Sequence, residues 1–246
     1  MTEATPTAAD VQAALRAVAD PVDAIHLQRF FKTGPGEYGE GDVFIGVRVP
    51  ASRAVAKSFA ALPLEEIDAL LDSEVHEDRF AGLIILNAAF AKASKPGAVD
   101  DAARAAMVDR YLTAVRRGRV NNWDLVDVSA ENIIGPWLFD KPRDLLFELA
   151  DADSLWERRV ALLSTFAFIK SGEAATTFEL AERLLGDRRD LIQKALGWML
   201  REIGKRIEQR LLTEFLDKHA AAMGRTALSY ATEHLDAAVR AHYRAQ

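Results

Sequence analysis

Apolar residues recur every three to four positions through nearly the whole chain, and this one period constrains the fold more than any other feature. Ala, Leu, Arg and Glu dominate the periodic stretches, and all four favour helix. The spacing predicts helices over 8–19, 21–32, 51–61, 64–72, 76–93, 98–117, 122–138, 141–150, 155–170, 174–186, 189–206, 208–221 and 225–243. Only Val43 to Val49 alternates like a strand, and it is short. Pro21, Pro50 and Pro63 fall at or near helix starts, where a missing N–H costs little. Gly34, Gly36, Gly39 and Gly41 mark one long loop.

The other gaps are short, so consecutive helices are expected to pair side by side. The pairs recur at roughly 35–45 residues, the spacing of HEAT-type repeats. No signature residues repeat, so a globular, non-repeating helical domain is the alternative. The 246 residues, half of them hydrophobic, suit one domain over 1–246 with a substantial core.

Composition removes several function classes. The chain has no cysteine, which excludes a disulfide scaffold, a thiolate nucleophile and Cys-based metal sites. That composition fits a reducing cytoplasm. No apolar run approaches the ~20 residues of a membrane span. Met1 to Asp10 is polar and small, unlike a signal peptide. His26, His76, His219, His234 and His242 show no metal-ligand spacing, and no phosphate-binding glycine pattern occurs, so neither metal nor cofactor is expected. The net charge is −6, yet residues 156–210 carry 11 basic and 8 acidic side chains. A DNA-facing surface is therefore expected in the C-terminal half.

Three segments combine aromatic and charged residues at helical spacing. In 121–134, Asn121 and Asn122 can cap a helix starting at Trp123. At about 100° per residue, Trp123, Asp127, Ala130 and Ile134 share one face. An aromatic ring one turn before a carboxylate, with a small alanine behind, leaves room for a substrate, although aspartate at a helix start is also a common structural choice. In 190–206, Ile192, Leu196, Met199 and Ile203 form an apolar stripe, with Lys194, Trp198, Arg201 and Lys205 opposite. That face suits a ring touching a sugar or base while cations hold phosphates. It equally suits a tryptophan packed on a neighbouring helix with its cations solvated. Trp156 and Arg159, three apart, form the third segment, in which Arg159 can clamp a phosphate or be an ordinary surface arginine.

Together these segments resemble the DNA alkylation repair family, the HEAT-like 3-methyladenine and 7-methylguanine DNA glycosylases. The matching residues run in family order over about 30–206. They are Phe30-Phe31-Lys32, then Phe44-Ile45-Gly46-Val47-Arg48-Val49-Pro50 with Arg53, Trp123-Asp124-Leu125-Val126-Asp127, Trp156 with Arg159, and Lys194-Ala195-Leu196-Gly197-Trp198-Met199-Leu200-Arg201-Glu202. The resemblance implies an all-α fold, a right-handed α-solenoid of about six HEAT-like helix pairs curved around a concave basic face. It implies a monomer that grips double-stranded DNA carrying alkylated bases. It assigns Asp127 as the catalytic aspartate, Trp123 and Trp198 as its two tryptophans, and Arg159 as a basic residue beside the lesion. Where the family can carry a tyrosine near the N-terminal cleft this chain has Phe30, which lacks the hydroxyl.

The residue types suit that chemistry. An N3- or N7-alkylated purine is already cationic and leaves well, so no general acid is required. Its departure leaves an oxocarbenium-like sugar, which a fixed carboxylate stabilises. Two other functions use the same fold: a non-catalytic binder of damaged or distorted DNA, and a protein–protein scaffold.

Overall fold

The computed structural model describes residues 5–246. Met1–Ala4, where the expected domain and the leader reading both begin, lie outside the described residues. The fold is all-α. The chain divides into two compact units, one ending at Ser129 and the other beginning at Ala130.

The first unit holds α1 (Ala8–Arg16), α2 (Pro21–Phe30), α3 (Val49–Ser58), α4 (Leu64–Leu71), α5 (His76–Ala93) and α6 (Asp101–Arg116). It also holds the first two turns of α7 (Trp123–Trp137). Short-range chemistry starts these helices. Thr7 caps α1 in a reciprocal box with Asp10, and Asp20 caps α2 with Pro21 behind it. Asp100 accepts the Ala103 N–H ahead of α6. Each such cap contributes about 1 kcal/mol.

The centre of this unit is α5, against which α1, α3, α4 and α6 pack. Phe80, Leu83, Ile85, Leu86 and Phe90 are buried along it. Truncating any of them to alanine costs about 2–5 kcal/mol. By contrast, α2 buries no residue. It is tied down at its start by the Asp20 N–H on the Gly46 carbonyl (3.2 Å) and by the Asp23–Arg48 pair (2.6 Å).

The second unit continues α7 and adds α8 (Asp144–Asp151), α9 (Leu155–Ser164), α10 (Phe166–Lys170), α11 (Ala175–Leu184), α12 (Asp190–Arg206) and α13 (Gln209–His219). A 3-10 turn (Ala220–Ala222), α14 (Arg225–Ala231) and α15 (Ala237–Arg244) complete it. Here α12 takes the central place, packed by α9, α10, α11, α13 and α14. Gly197 lets α14 come close to α12, because a Cβ there would overlap the Ala227 carbonyl oxygen on α14.

Three expectations change. The strand at Val43–Val49 does not form. The stretch makes only one isolated bridge, Val43 to Val75, and no strand occurs among the described residues. Its N–H groups at 45–47 are taken by a side chain instead of a neighbouring strand, as described below. The helix expected over 155–170 breaks at Thr165, where the Ser164 and Thr165 hydroxyls bond back to the carbonyls of Val160 and Leu162. The helix expected over 225–243 is interrupted between Ala231 and Ala237.

Candidate active site

The start of α7 is held on every side. Asn122 is fully buried, and its Oδ1 accepts the Trp123 N–H at 2.9 Å. Trp123 is half-buried and stacks on Phe31 (5.2 Å between centroids, 21°). Phe31 stacks on Phe44 (4.9 Å, 15°), and Phe44 on the imidazole of His76 (4.2 Å, 23°). Phe30 meets the Trp123 ring edge-on at 5.9 Å and is 62 % exposed. It borders an open groove of about 370 Å³ shared with Asp23, His26, Leu27 and Arg48.

Asp127 stands one turn after Trp123 and is half-buried. Further along the same face, Ala130 and Ile134 are fully buried. From α5, the Asn87 amide donates to the Val128 carbonyl at 2.7 Å. The phenol of Tyr111 is fully buried and receives a hydrogen bond from Ser129 at 3.0 Å. Burial raises its pKa far above the ordinary value, and the negative charge of Asp127 adds to the rise.

Beneath the aromatic rings lies a buried charge cluster that sequence reasoning missed. His76, the first residue of α5, is 2 % exposed. Its Nδ1 is 2.8 Å from Asp42 Oδ2 and its Nε2 is 2.8 Å from Asp124 Oδ2. Asp42 also accepts from Arg79 and from Asn122 (3.3 Å). Arg79 donates further to Asn121 Oδ1 (3.1 Å) and to the Ser73 and Glu74 carbonyls. Burial would strip the proton from His76, but Asp124 and Asp42 outweigh it and lift the pKa to about 9. Burial would likewise raise Asp42, yet His76 and Arg79 hold it below the usual carboxylate value.

Next to His76, the Glu77 carboxylate accepts the N–H groups of Ile45 (3.1 Å), Gly46 (2.8 Å) and Val47 (3.1 Å). The run His76-Glu77-Asp78-Arg79 is buried throughout. Four consecutive polar residues at a helix start normally read as a solvated face. Their position ahead of the apolar run from Phe80 to Leu86 was the one signal pointing the other way.

In the second unit, Lys194, Trp198, Arg201 and Lys205 form the least buried strip of α12, while Ile192, Leu196, Met199 and Ile203 opposite are fully buried. Trp198 is half-buried, donates its Nε1–H to Glu202 (3.3 Å) and tilts against Phe166 at 5.8 Å. Glu202 also takes Arg206 (2.6 Å) and Arg201 (3.3 Å). Burial pushes its pKa up, but these two arginines bring it below the ordinary value. Arg201 pairs in addition with Glu233, and Lys194 with Asp190 at 2.7 Å. Lys205 is exposed. Arg159, read from the sequence as a phosphate clamp or an ordinary surface arginine, is only 4 % exposed and donates to the Leu191 carbonyl at 2.6 Å, tying α9 to the start of α12. Trp156 is half-buried on α9.

Phe30, Trp123 and Asp127 thus lie in the first unit, where Phe30 touches Trp123, and Trp198, Arg159, Lys194, Arg201 and Lys205 lie in the second. Among the described residues, no group of three His, Cys, Asp or Glu side chains is placed to hold a metal ion. No helix there is long and apolar enough to cross a membrane.

Comparison with known proteins supplies the remaining evidence. No curated protein matches the sequence. A solved structure described as a predicted DNA alkylation repair enzyme from Enterococcus faecalis superposes with a TM-score of 0.67. It is 18 % identical, and the match covers 89 % of this chain and 97 % of that one, which shows a shared fold. The family model for the DNA alkylation repair enzyme matches residues 11–235, nearly the whole length, and the chain therefore belongs to the DNA alkylation repair enzyme family.

Proposed function

We propose that the protein is a DNA glycosylase that excises positively charged N3- and N7-alkylated purines, acting as a monomer in the cytoplasm. The observation that carries this reading is the pairing on α7 of a stacked, half-buried Trp123 with Asp127 one turn later, on a helix start anchored by buried charge. The helix pairs α4–α5 and α8–α9 act as HEAT-like repeats in this reading.

An alkylated purine carries its positive charge before the reaction begins. As the N-glycosidic bond lengthens, that charge moves onto the sugar. Asp127 stabilises the oxocarbenium-like sugar and orients the attacking water. The face of Trp123 adds cation–π attraction of about 0.5–2 kcal/mol. Phe30 offers an exposed ring to the DNA beside Trp123. Lys194, Arg201 and Lys205 meet the phosphates, with Arg201 exchanging Glu233 and Lys194 exchanging Asp190. Arg159 supports the start of α12 from below.

Release of 7-methylguanine and 3-methyladenine from methylated duplex DNA tests the reading. Asp127→Asn, folded as the wild type, is expected to lose about 100–1000-fold in single-turnover rate while still binding the duplex. Wild-type protein that binds DNA but releases no base would make it a non-catalytic binder. Protein with no affinity for DNA would leave the scaffold reading.

A further inference from the structure

His76 has a feature that a merely packed histidine lacks. Both ring nitrogens face a carboxylate oxygen at 2.8 Å, Asp42 on one side and Asp124 on the other. A neutral imidazole has one N–H, so one of these contacts would set two lone pairs against each other. Only the imidazolium makes both of them hydrogen bonds. The charges agree: with Arg79 on Asp42, two cations face two carboxylates and the cluster is neutral. Of the other charges in the same run, Glu77 is consumed by the amides of 45–47, and Asp78 pairs with Arg16 and accepts from Ser73 and Gln12. Phe44 and Phe31 cover the ring at 4.2 Å and 5.2 Å.

The two carboxylates come from different places. Asp42 lies in the loop between α2 and α3, close to Phe44, while Asp124 lies in the first turn of α7, between Trp123 and Asp127. Asp124 spends its other oxygen on the Leu125 N–H at 2.9 Å. Whatever holds Asp124 therefore holds the turn that presents Trp123.

We propose that His76 is a positioning residue of the active site. As an imidazolium clamped between Asp42 and Asp124, it fixes the first turn of α7 and with it the placement of Trp123 and Asp127. The positioning role rests on the glycosylase reading above, while the clamp stands independently of it.

Two measurements on the full chain separate these. The first needs no activity. In protein labelled with 15N-histidine, both His76 nitrogens are expected to show the protonated shift at pH 7. Hydrogen exchange over 121–128 is expected to quicken about tenfold in His76→Gln and to recover in His76→Gln/Asp124→Asn, where neutrality returns. A neutral His76 ring at pH 7, or exchange unchanged in His76→Gln, overturns the clamp.

The second measurement is base release. His76→Gln is expected to lose about 10–100-fold in single-turnover rate, with affinity for methylated duplex nearly unchanged and much of the rate regained in the double variant. A folded His76→Gln that excises at the wild-type rate overturns the positioning role, as does a double variant no better than the single. If His76→Gln does not fold, Asp124→Asn breaks the same contact from the side of α7 and is held to the same outcomes. Wild-type protein without base release would defeat the glycosylase reading and leave the exchange result to decide the clamp.

Discussion

The two tryptophans of the chain's most chemical segments are held in opposite ways. Trp123 ends a run of stacked rings over a largely buried charge cluster, in which each ion is matched by another a few ångströms away. Trp198 lies on a half-open helix strip, where Glu202 takes its indole N–H and Lys194, Arg201 and Arg206 around it are paired at or near the surface. Buried pairs are strongly destabilising to break and little screened by salt. Surface pairs contribute little and exchange readily. The first setting therefore suits a group that must not move, and the second suits a surface that trades carboxylates for phosphates when DNA arrives.

That contrast can be broken most decisively at Asp42. Asp42→Asn leaves His76 and Arg79 sharing too little negative charge in a dry site, and a loss of about 3–5 kcal/mol is expected by chemical denaturation. A loss below about 1 kcal/mol would mean that water reaches the cluster and that the two settings are alike.

Alkaline pH gives a smaller, more selective test. The pKa of His76 is raised from the ordinary 6.5 to about 9, so the folded state favours its proton. Its stabilising contribution is complete below about pH 6.5 and is lost as pH rises through about 9. Asp42 and Glu202 are both lowered, so their contributions are present above the ordinary carboxylate range and are lost towards acid. Wild-type stability should thus fall between about pH 6.5 and about pH 9, and His76→Gln should fall less. Equal slopes would show that the alkaline loss does not come from the first setting.

The smallest expected effect is at Glu233. Glu233→Gln frees Arg201 from its exposed partner, and stability should change by less than about 0.5 kcal/mol. Affinity for duplex DNA should rise a few-fold at low salt, with the gain shrinking as salt increases. Unchanged affinity would place Arg201 away from the phosphates.

The unequal legibility of the two regions in the sequence has the same physical origin. The strip Lys194, Trp198, Arg201 and Lys205 is set by local spacing on one helix, and so is the step from Trp123 to Asp127. Helical period alone shows both. The cluster under Trp123 is assembled from residues 34 and 48 positions apart, and no local pattern encodes it. A charged run such as 76–79 looks solvated until its partners are known. The same distance effect misled at 43–49: its alternation suggested a strand, but the acceptor for its N–H groups is Glu77, about 30 residues on. The break at Thr165 was hidden for the opposite reason, since it depends on two hydroxyl rotamers within an otherwise unbroken helical period.

The cradle around Glu77 also sets where the chain tolerates a change of length. Gly46 sits at a φ of +88°, and a Cβ there would overlap the Asp20 carbonyl, so this residue and its neighbours are fixed in register by contacts on both sides. Around Gly36 and Gly41 nothing stands within 4 Å of an added Cβ. Insertions are tolerated at Gly36, whereas Gly39 is pressed against the Phe31 carbonyl and the Asn122 amide, and one residue gained or lost between Ile45 and Val49 would shift Phe44 and Asp42 out of step with α5 and unseat the whole stack.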